Sequence, residues 1–195
     1  MDSEDRAGQA YRIRVDFLPA DSLSLPGRLG MTRAPGRWSP GRSLDAEVRL
    51  REDLAAIARL HRARVLVTLL EREEIEEIGE LRAEAERLAL EWIHFPIADM
   101  WAPADAAATR ALVERILRSL AAGDNVVLHC WGGLGRTGTI AASCLVARGA
   151  TPVRALELVR ATREGAVQTT EQEQFVRDFA GPPGRGGRPG AGAGG

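Results

Sequence analysis

The 195-residue sequence contains no lysine: all 26 of its basic residues are arginine. That absence removes a Walker-type phosphate lysine, a Schiff-base lysine and a lysine general base from the available chemistry. Cysteine is scarce as well. Cys130 and Cys144, together with three histidines, complete neither a four-ligand zinc site of common spacing nor a disulfide framework. Reduced thiols in a cytoplasmic setting are the expectation. No apolar run reaches the length of about eighteen residues that a membrane helix needs. The opening MDSEDRAGQA is polar and acidic rather than basic then apolar, so neither a membrane span nor secretion is expected. Charge of one sign is lacking too: 26 basic against 27 acidic residues argue against a duplex nucleic-acid partner. What remains is an ordinary composition, 45% hydrophobic and 27% charged, at a length suited to one domain with its own core.

The hydrophobic pattern divides the chain into 1–10, a loose lead-in, 11–180, a folded domain, and 181–195, a tail. The tail holds eight glycines and three prolines in fifteen residues, too little apolar surface to offset its ordering entropy. In YRIRVDF, Tyr11, Ile13, Val15 and Phe17 alternate with polar residues as a half-buried strand does. The proline- and glycine-punctuated stretch 20–47 suits a short strand and surface loops, with the Arg-rich segment 28–42 read as a solvated surface. A helix near 49–61 leads into the buried strand 65–70. Charged helices around 72–78 and 80–88 precede a strand at 91–95. A helix near 103–121, started by Pro103, leads to the strand NVVLH, and helices follow at 136–148, 151–163 and 170–180. Strands alternating with helices predict a single α/β domain whose central, mostly parallel sheet is flanked by helices.

Residues 126–139, VVLHCWGGLGRTGT, carry the chemistry: a short apolar strand, a cysteine, a glycine-rich loop, then an arginine and a threonine opening a helix. Gly132, Gly133 and Gly135 allow close backbone approach, so consecutive N–H groups of the loop Trp131, Gly132, Gly133, Leu134 and Gly135 can converge on one oxyanion. The following helix N-terminus adds its own unpaired donors. Arg136 can return over the loop and bind two phosphate oxygens with its planar fork. The same donors favour the Cys130 thiolate and make it a nucleophile at neutral pH. Thr137 can donate its hydroxyl to that sulfur, and His129 braces the loop rather than acting as the base.

HCWGGLGRTGT resembles the signature of the cysteine-dependent protein tyrosine and dual-specificity phosphatase superfamily: His-Cys, five residues, Arg, then Ser or Thr. Within it the chain is most similar to the kinase-associated phosphatase (cyclin-dependent kinase inhibitor 3) group, through the Trp-Gly-Gly-Leu-Gly loop and, more weakly, through LGMTRAPG at 29–36. The likeness runs from about residue 26 to 180. It implies a protein tyrosine phosphatase-like fold and hydrolysis of phosphomonoesters through a phosphocysteine, with neither metal nor cofactor. By position in HFPIADMWAP it makes Asp99 the general acid, and by position in VQTTEQEQF it makes Gln168 or Gln172 the holder of the attacking water. The partner implied is a phosphoprotein, with neither nucleic acid nor membrane, and the default state is a monomer. Tyr11 is the only tyrosine, so a loop that sandwiches a phosphotyrosine ring has no counterpart and a shallower cleft is expected.

Plainer readings stand beside these. Cys144, on the apolar face of the next helix, is a buried hydrophobe. Asp99 could cap the helix after Pro103, Thr170 the helix after it, and Gln168 and Gln172 could be ordinary exposed residues. Trp38 reads as core cover rather than cleft wall, while Trp101 fits either. Low-molecular-weight phosphatases and arsenate reductases place a similar loop near the N-terminus. The phosphatases among them also need an acid far downstream, where Asp178 is the only aspartate after Cys130. A sulfur transferase leaves the acid, arginine and threonine unexplained. A phosphatase of inositol phosphates or nucleotides, and a phosphoprotein-binding module without turnover, remain as alternatives.

Overall fold

A computed structural model describes residues 13–37 and 45–179. The lead-in 1–10, Tyr11, Trp38 and the tail 181–195 lie outside the described residues, as do positions 38–42 of the Arg-rich segment. The described chain is a five-stranded sheet in the order β1-β2-β5-β3-β4, comprising β1 (Asp16–Phe17), β2 (Leu29–Thr32), β3 (Ala63–Thr68), β4 (Glu91–His94) and β5 (Asn125–His129). Only β1 pairs antiparallel; the other three pairings are parallel. The helices are α1 (Ala46–Ala55, continuing as a wide turn over Ala56–Leu60), α2 (Arg72–Ile78), α3 (Leu81–Arg87), α4 (Ala106–Ala121), α5 (Gly135–Ala147), α6 (Pro152–Thr162) and α7 (Thr170–Phe179). This is the α/β domain that the alternation of strands and helices predicts.

β5 lies between β2 and β3, and Val126, Val127 and Leu128 are wholly buried, as a central parallel strand covered on both faces requires. Helix α5 is buried at every position from Gly135 to Val146. Its small residues allow that: a Cβ on Gly138 would meet the Val167 backbone nitrogen at 2.9 Å. Its buried hydroxyls turn back on the helix, Thr139 donating to Gly135 O at 2.8 Å and Ser143 to Thr139 O at 2.8 Å. Helix α4 buries Leu112, Val113, Ile116 and Leu120 on one face.

Register sets up the site. Thr32 and Thr68 both stand opposite His129, and Thr68 also stands opposite His94. Four parallel strands therefore end in one row, and the loops that follow leave along a single edge. That is where ligands bind in open α/β sheets.

Several boundaries differ from the sequence reading. In YRIRVDF only Asp16 and Phe17 pair with β2, whereas Ile13 and Val15 are buried as extended chain beside the sheet. The strand read at 65–70 runs 63–68, because Leu69 and Leu70 continue beyond the sheet as buried loop. Pro103 does not start α4. Asp105 caps it, accepting from Ala107 N at 2.8 Å and Ala108 N at 2.9 Å, so Asp99 is not its cap. Thr170 does not cap α7 either: the Thr169 hydroxyl accepts from Gln172 N at 3.2 Å. The Arg-rich segment is not simply solvated, since Arg33 pairs with Asp53 and Arg37 reaches the cysteine loop. Among the described residues no helix is long and apolar enough to cross a membrane.

Ile116 is fully buried on α4. Ile116→Ala should lower the unfolding free energy by about 2–5 kcal/mol in urea titration, the range for a core truncation that leaves a cavity.

Candidate active site

Cys130 leaves the C-terminal end of β5 and is 3% exposed, at the floor of the loop Trp131–Leu134 that runs into α5. The carbonyls of this loop are turned outward. Trp131 O accepts from Ala34 N at 3.1 Å and Arg37 Nη1 at 3.3 Å, and Gly132 O accepts from Arg163 Nη2 at 3.1 Å. Leu134 O accepts from Gly138 N at 2.8 Å and Val167 N at 3.3 Å. In a trans peptide C=O and N–H point opposite ways, so the outward carbonyls of Trp131 and Gly132 aim the N–H groups of Gly132 and Gly133 inward. Gly133 is required on two counts: its φ is +72°, and a Cβ would lie 2.2 Å from Thr32 O. The loop thus has the form of an anion cradle above the thiol.

Arg136 is 1% exposed. Its Nη1 donates to Glu74 Oε2 at 2.6 Å and Ile97 O at 3.1 Å. Nη2 donates to Glu74 Oε1 at 2.9 Å and sits 2.9 Å from Asp99 Oδ1. Nε is buried without a partner among the described residues. Burial opposes the charge of Arg136, but the hydrogen bond to Glu74, the Cys130 sulfur and Asp99 together hold its pKa above the ordinary value. Burial likewise raises the Glu74 carboxyl, and Arg136 with the Glu71 N–H outweighs it, leaving a net lowering. Glu74 closes the capping box of α2 as well, accepting from Glu71 N at 2.8 Å.

His129 is fully buried. Trp92 Nε1 donates to Thr68 Oγ1 at 2.8 Å, and the Thr68 hydroxyl is hydrogen-bonded to His129 Nε2 at 2.7 Å. Nδ1 is buried without a hydrogen-bond partner among the described residues. Burial, with Arg136 and His94 adding to it, lowers the His129 pKa to about 3. A ring that is neutral at neutral pH and so weakly basic suits bracing rather than proton abstraction. Cys144 is fully buried with its thiol pushed up to about 12, the packed hydrophobe the sequence suggests.

The structure gathers Asp99 at the cleft on Arg136 with its side chain 66% exposed. Thr137 lies at the base of the loop, its hydroxyl buried and without a hydrogen bond among the described residues, so its bond to the Cys130 sulfur is not formed here. The two glutamines separate. Gln168 is exposed and its Oε1 accepts from Gly135 N at 3.1 Å, which takes Gly135 out of the ring of inward donors. Gln172 is fully buried and strapped between Gln168 N, 2.9 Å from its Oε1, and Trp101 O, 3.1 Å from its Nε2. Trp101 is 64% exposed beside Asp99, in keeping with a cleft wall. Trp131 is half-buried under the Arg37 guanidinium, 5.5 Å from the ring centre.

Sequence reasoning missed Glu74 and Thr68. Glu74 is one of five glutamates in EREEIEEI, and nothing in that run distinguishes it. The usable signal was indirect: a buried arginine needs a carboxylate beyond the acid. Among the described residues no group of three or more His, Cys, Asp or Glu side chains is placed to hold a metal.

A family model described as "Polymorphic toxin system, DSP-PTPase phosphatase" matches residues 43–150, more than half of the chain. The chain is 35% identical over 89 residues to cyclin-dependent kinase inhibitor 3 of Homo sapiens, covering 44% of this chain and 42% of that protein. It is 32% identical over 89 residues to the protein of that name from Rattus norvegicus, again 44% of this chain and 42% of that protein. The match thus spans less than half the length of these relatives. Among solved structures, kinase associated phosphatase with its catalytic-site cysteine replaced by serine superposes with a TM-score of 0.77 at 22% identity, over 86% of this chain and 94% of that one. Tk-PTP in its active form gives 0.68 at 28% identity, over 85% and 95%.

Glu74→Gln keeps the shape but removes the charge behind Arg136, and it should weaken vanadate binding by about tenfold or more in a competition assay. His129 binds its proton later in the folded than in the unfolded chain. Stability is therefore full above pH 6.5 and lost as pH falls toward about 3. Urea midpoints of wild type should drop over that window more steeply than those of His129→Gln.

Proposed function

The chain belongs to the DSP-PTPase phosphatase family of polymorphic toxin systems, and from that premise we propose that it is a metal-independent phosphomonoester hydrolase acting on phosphoproteins through a phosphocysteine. The observation that carries this reading is the coincidence, along one sheet edge, of a thiol under outward-anchored carbonyls with an arginine whose Nε is unpartnered. The proposed roles derive from that arrangement.

Glu74 spans Nη1 and Nη2 and Ile97 O holds Nη1 from behind, so the edge of Arg136 left for substrate is Nε with the second N–H of Nη2. Asp99 rests on Nη2, where a phosphoryl oxygen would bind in the bidentate mode that suits a guanidinium. Substrate displaces it, and the freed carboxyl stands beside the leaving oxygen. Cys130 Sγ then attacks phosphorus, the P–O ester bond breaks, and Asp99 gives its proton to the departing oxygen. In the second step water attacks phosphorus, the S–P bond breaks and Asp99 takes the proton. The cradle N–H groups and Arg136 stabilise the charge on the three equatorial oxygens in both steps. Exposed Gln168, its Oε1 on Gly135 N, offers its Nε2 to that water, and buried Gln172 positions the Asp99 loop through Trp101 O.

The exposure of Asp99 and Trp101 supports a shallow cleft open to a protein surface, hence both phosphotyrosine and phosphoserine/threonine. Two free thiols support a reducing, cytoplasmic compartment. The test is phosphate release, with chelator present, from phosphotyrosine, phosphothreonine and phosphoserine peptides and an inositol phosphate panel. Peptide turnover is expected, Cys130→Ser should abolish it, and Asp99→Asn should lower kcat by about a hundredfold or more while vanadate still binds. Turnover of inositol phosphates alone would change the substrate class. Vanadate binding without any turnover would leave a binding module.

A further inference from the structure

Three loop carbonyls are anchored outward, and they differ in what anchors them. Those of Trp131 and Leu134 are met by main-chain N–H groups, so any sequence with this backbone would hold them. The anchor found at Gly132 O is a side chain, Arg163 Nη2 at 3.1 Å. Arg163 ends α6, and its Nη1 pairs with Asp16 Oδ2 of the edge strand β1 at 2.5 Å. Side-chain exposures of 16% for Arg163 and 9% for Asp16 mark the pair as largely desolvated. The second oxygen of Asp16 faces the exposed Arg14, at 2.5 Å from its Nε.

A desolvated ion pair adds little net stability, because the cost of removing both charges from water offsets their attraction. What this pair does deliver is direction. With Asp16 holding one arm of the fork, the other addresses the Gly132 carbonyl. The peptide that follows then presents the Gly133 N–H to the interior of the cradle. A charged donor on the carbonyl also polarises the peptide and makes that N–H a stronger donor. The neighbouring glycine cannot shift to compensate, since Gly133 already abuts Thr32 O.

We propose that Arg163, oriented by Asp16, is a positioning residue of the phosphate cradle, fixing the Gly132–Gly133 peptide so that its N–H faces the bound oxyanion and the Cys130 thiolate. The proposal rests on the phosphatase reading and deepens it. It also assigns opposite signs to the two partners. Arg163→Gln removes the charge and the two-armed reach that lets one side chain hold both Asp16 and the carbonyl, whereas Asp16→Asn keeps an acceptor for Arg163 and removes only the neutralising charge.

The experiment measures vanadate affinity, the Cys130 thiolate midpoint from ultraviolet absorbance, kcat/KM and thermal midpoint in both variants. Cys144, with its thiol near 12, stays silent in the titration. Arg163→Gln should bind vanadate about tenfold more weakly and raise the Cys130 midpoint by about one pH unit, with kcat/KM falling in step. Asp16→Asn should leave the Cys130 midpoint unchanged or lower it. Arg163→Lys, which keeps the ion pair but loses the fork, should track Arg163→Gln in vanadate affinity and wild type in thermal midpoint. It carries the test if Arg163→Gln does not fold. Thermal midpoints that fall in both partners, with vanadate affinity and Cys130 midpoint within about twofold of wild type, would make the pair a mere strap and overturn the proposal. If wild type hydrolyses no phosphomonoester, the phosphatase reading fails by itself, and the Cys130 midpoint still decides the role of Arg163.

Discussion

A guanidinium buried to 1% exposure has to be compensated on every side, and the architecture around Arg136 follows from that demand. Glu74 meets the fork with both oxygens, which fixes the start of α2 against the head of α5. Ile97 O and Asp99 draw the segment after β4 to the same point. Loops leaving three parallel strands are thereby locked to one side chain. Their common origin in the row Thr32, His129, Thr68 and His94 brings them within its reach.

The loop between Cys130 and Arg136 is shaped from outside. Its carbonyls are engaged by Ala34, Arg37, Arg163, Gly138 and Val167, so the donors left over face the thiol. Beneath it, Trp92, Thr68 and His129 form a hydrogen-bonded chain in which the indole donates to the hydroxyl and the hydroxyl pairs with the imidazole. Burial keeps that imidazole neutral, so the floor of the site adds no mobile charge of its own.

The fold class was legible because the alternation of strands with helices is long and the strands β3 and β5 are apolar runs. The cysteine loop was legible because glycines, arginine and threonine at that spacing have few other uses. Element ends were less so. Asp105 rather than Pro103 starts α4 because a side-chain cap satisfies two N–H groups where proline merely lacks one. The tail end of VLVTLL left the sheet because Leu69 and Leu70 find burial in the loop instead. Glu74 and Thr68 were hidden for a different reason. Their roles exist only across strand register and helix docking, which no local pattern records. Gln168 and Gln172 were found as a pair, but only burial distinguishes them, one exposed and one strapped inside.

Helix α5 is buried at every position from Gly135 to Val146, and Arg136, to which the proposed function assigns anion binding, is its second residue. The first turn of that helix answers to two masters, the interior of the protein and the cleft above it. Sequence drift there is penalised twice, whereas Met100 and Trp101 on the rim, 48% and 64% exposed, answer to neither so strictly. A change on the rim can therefore reshape the cleft mouth while the packing beneath stays the same.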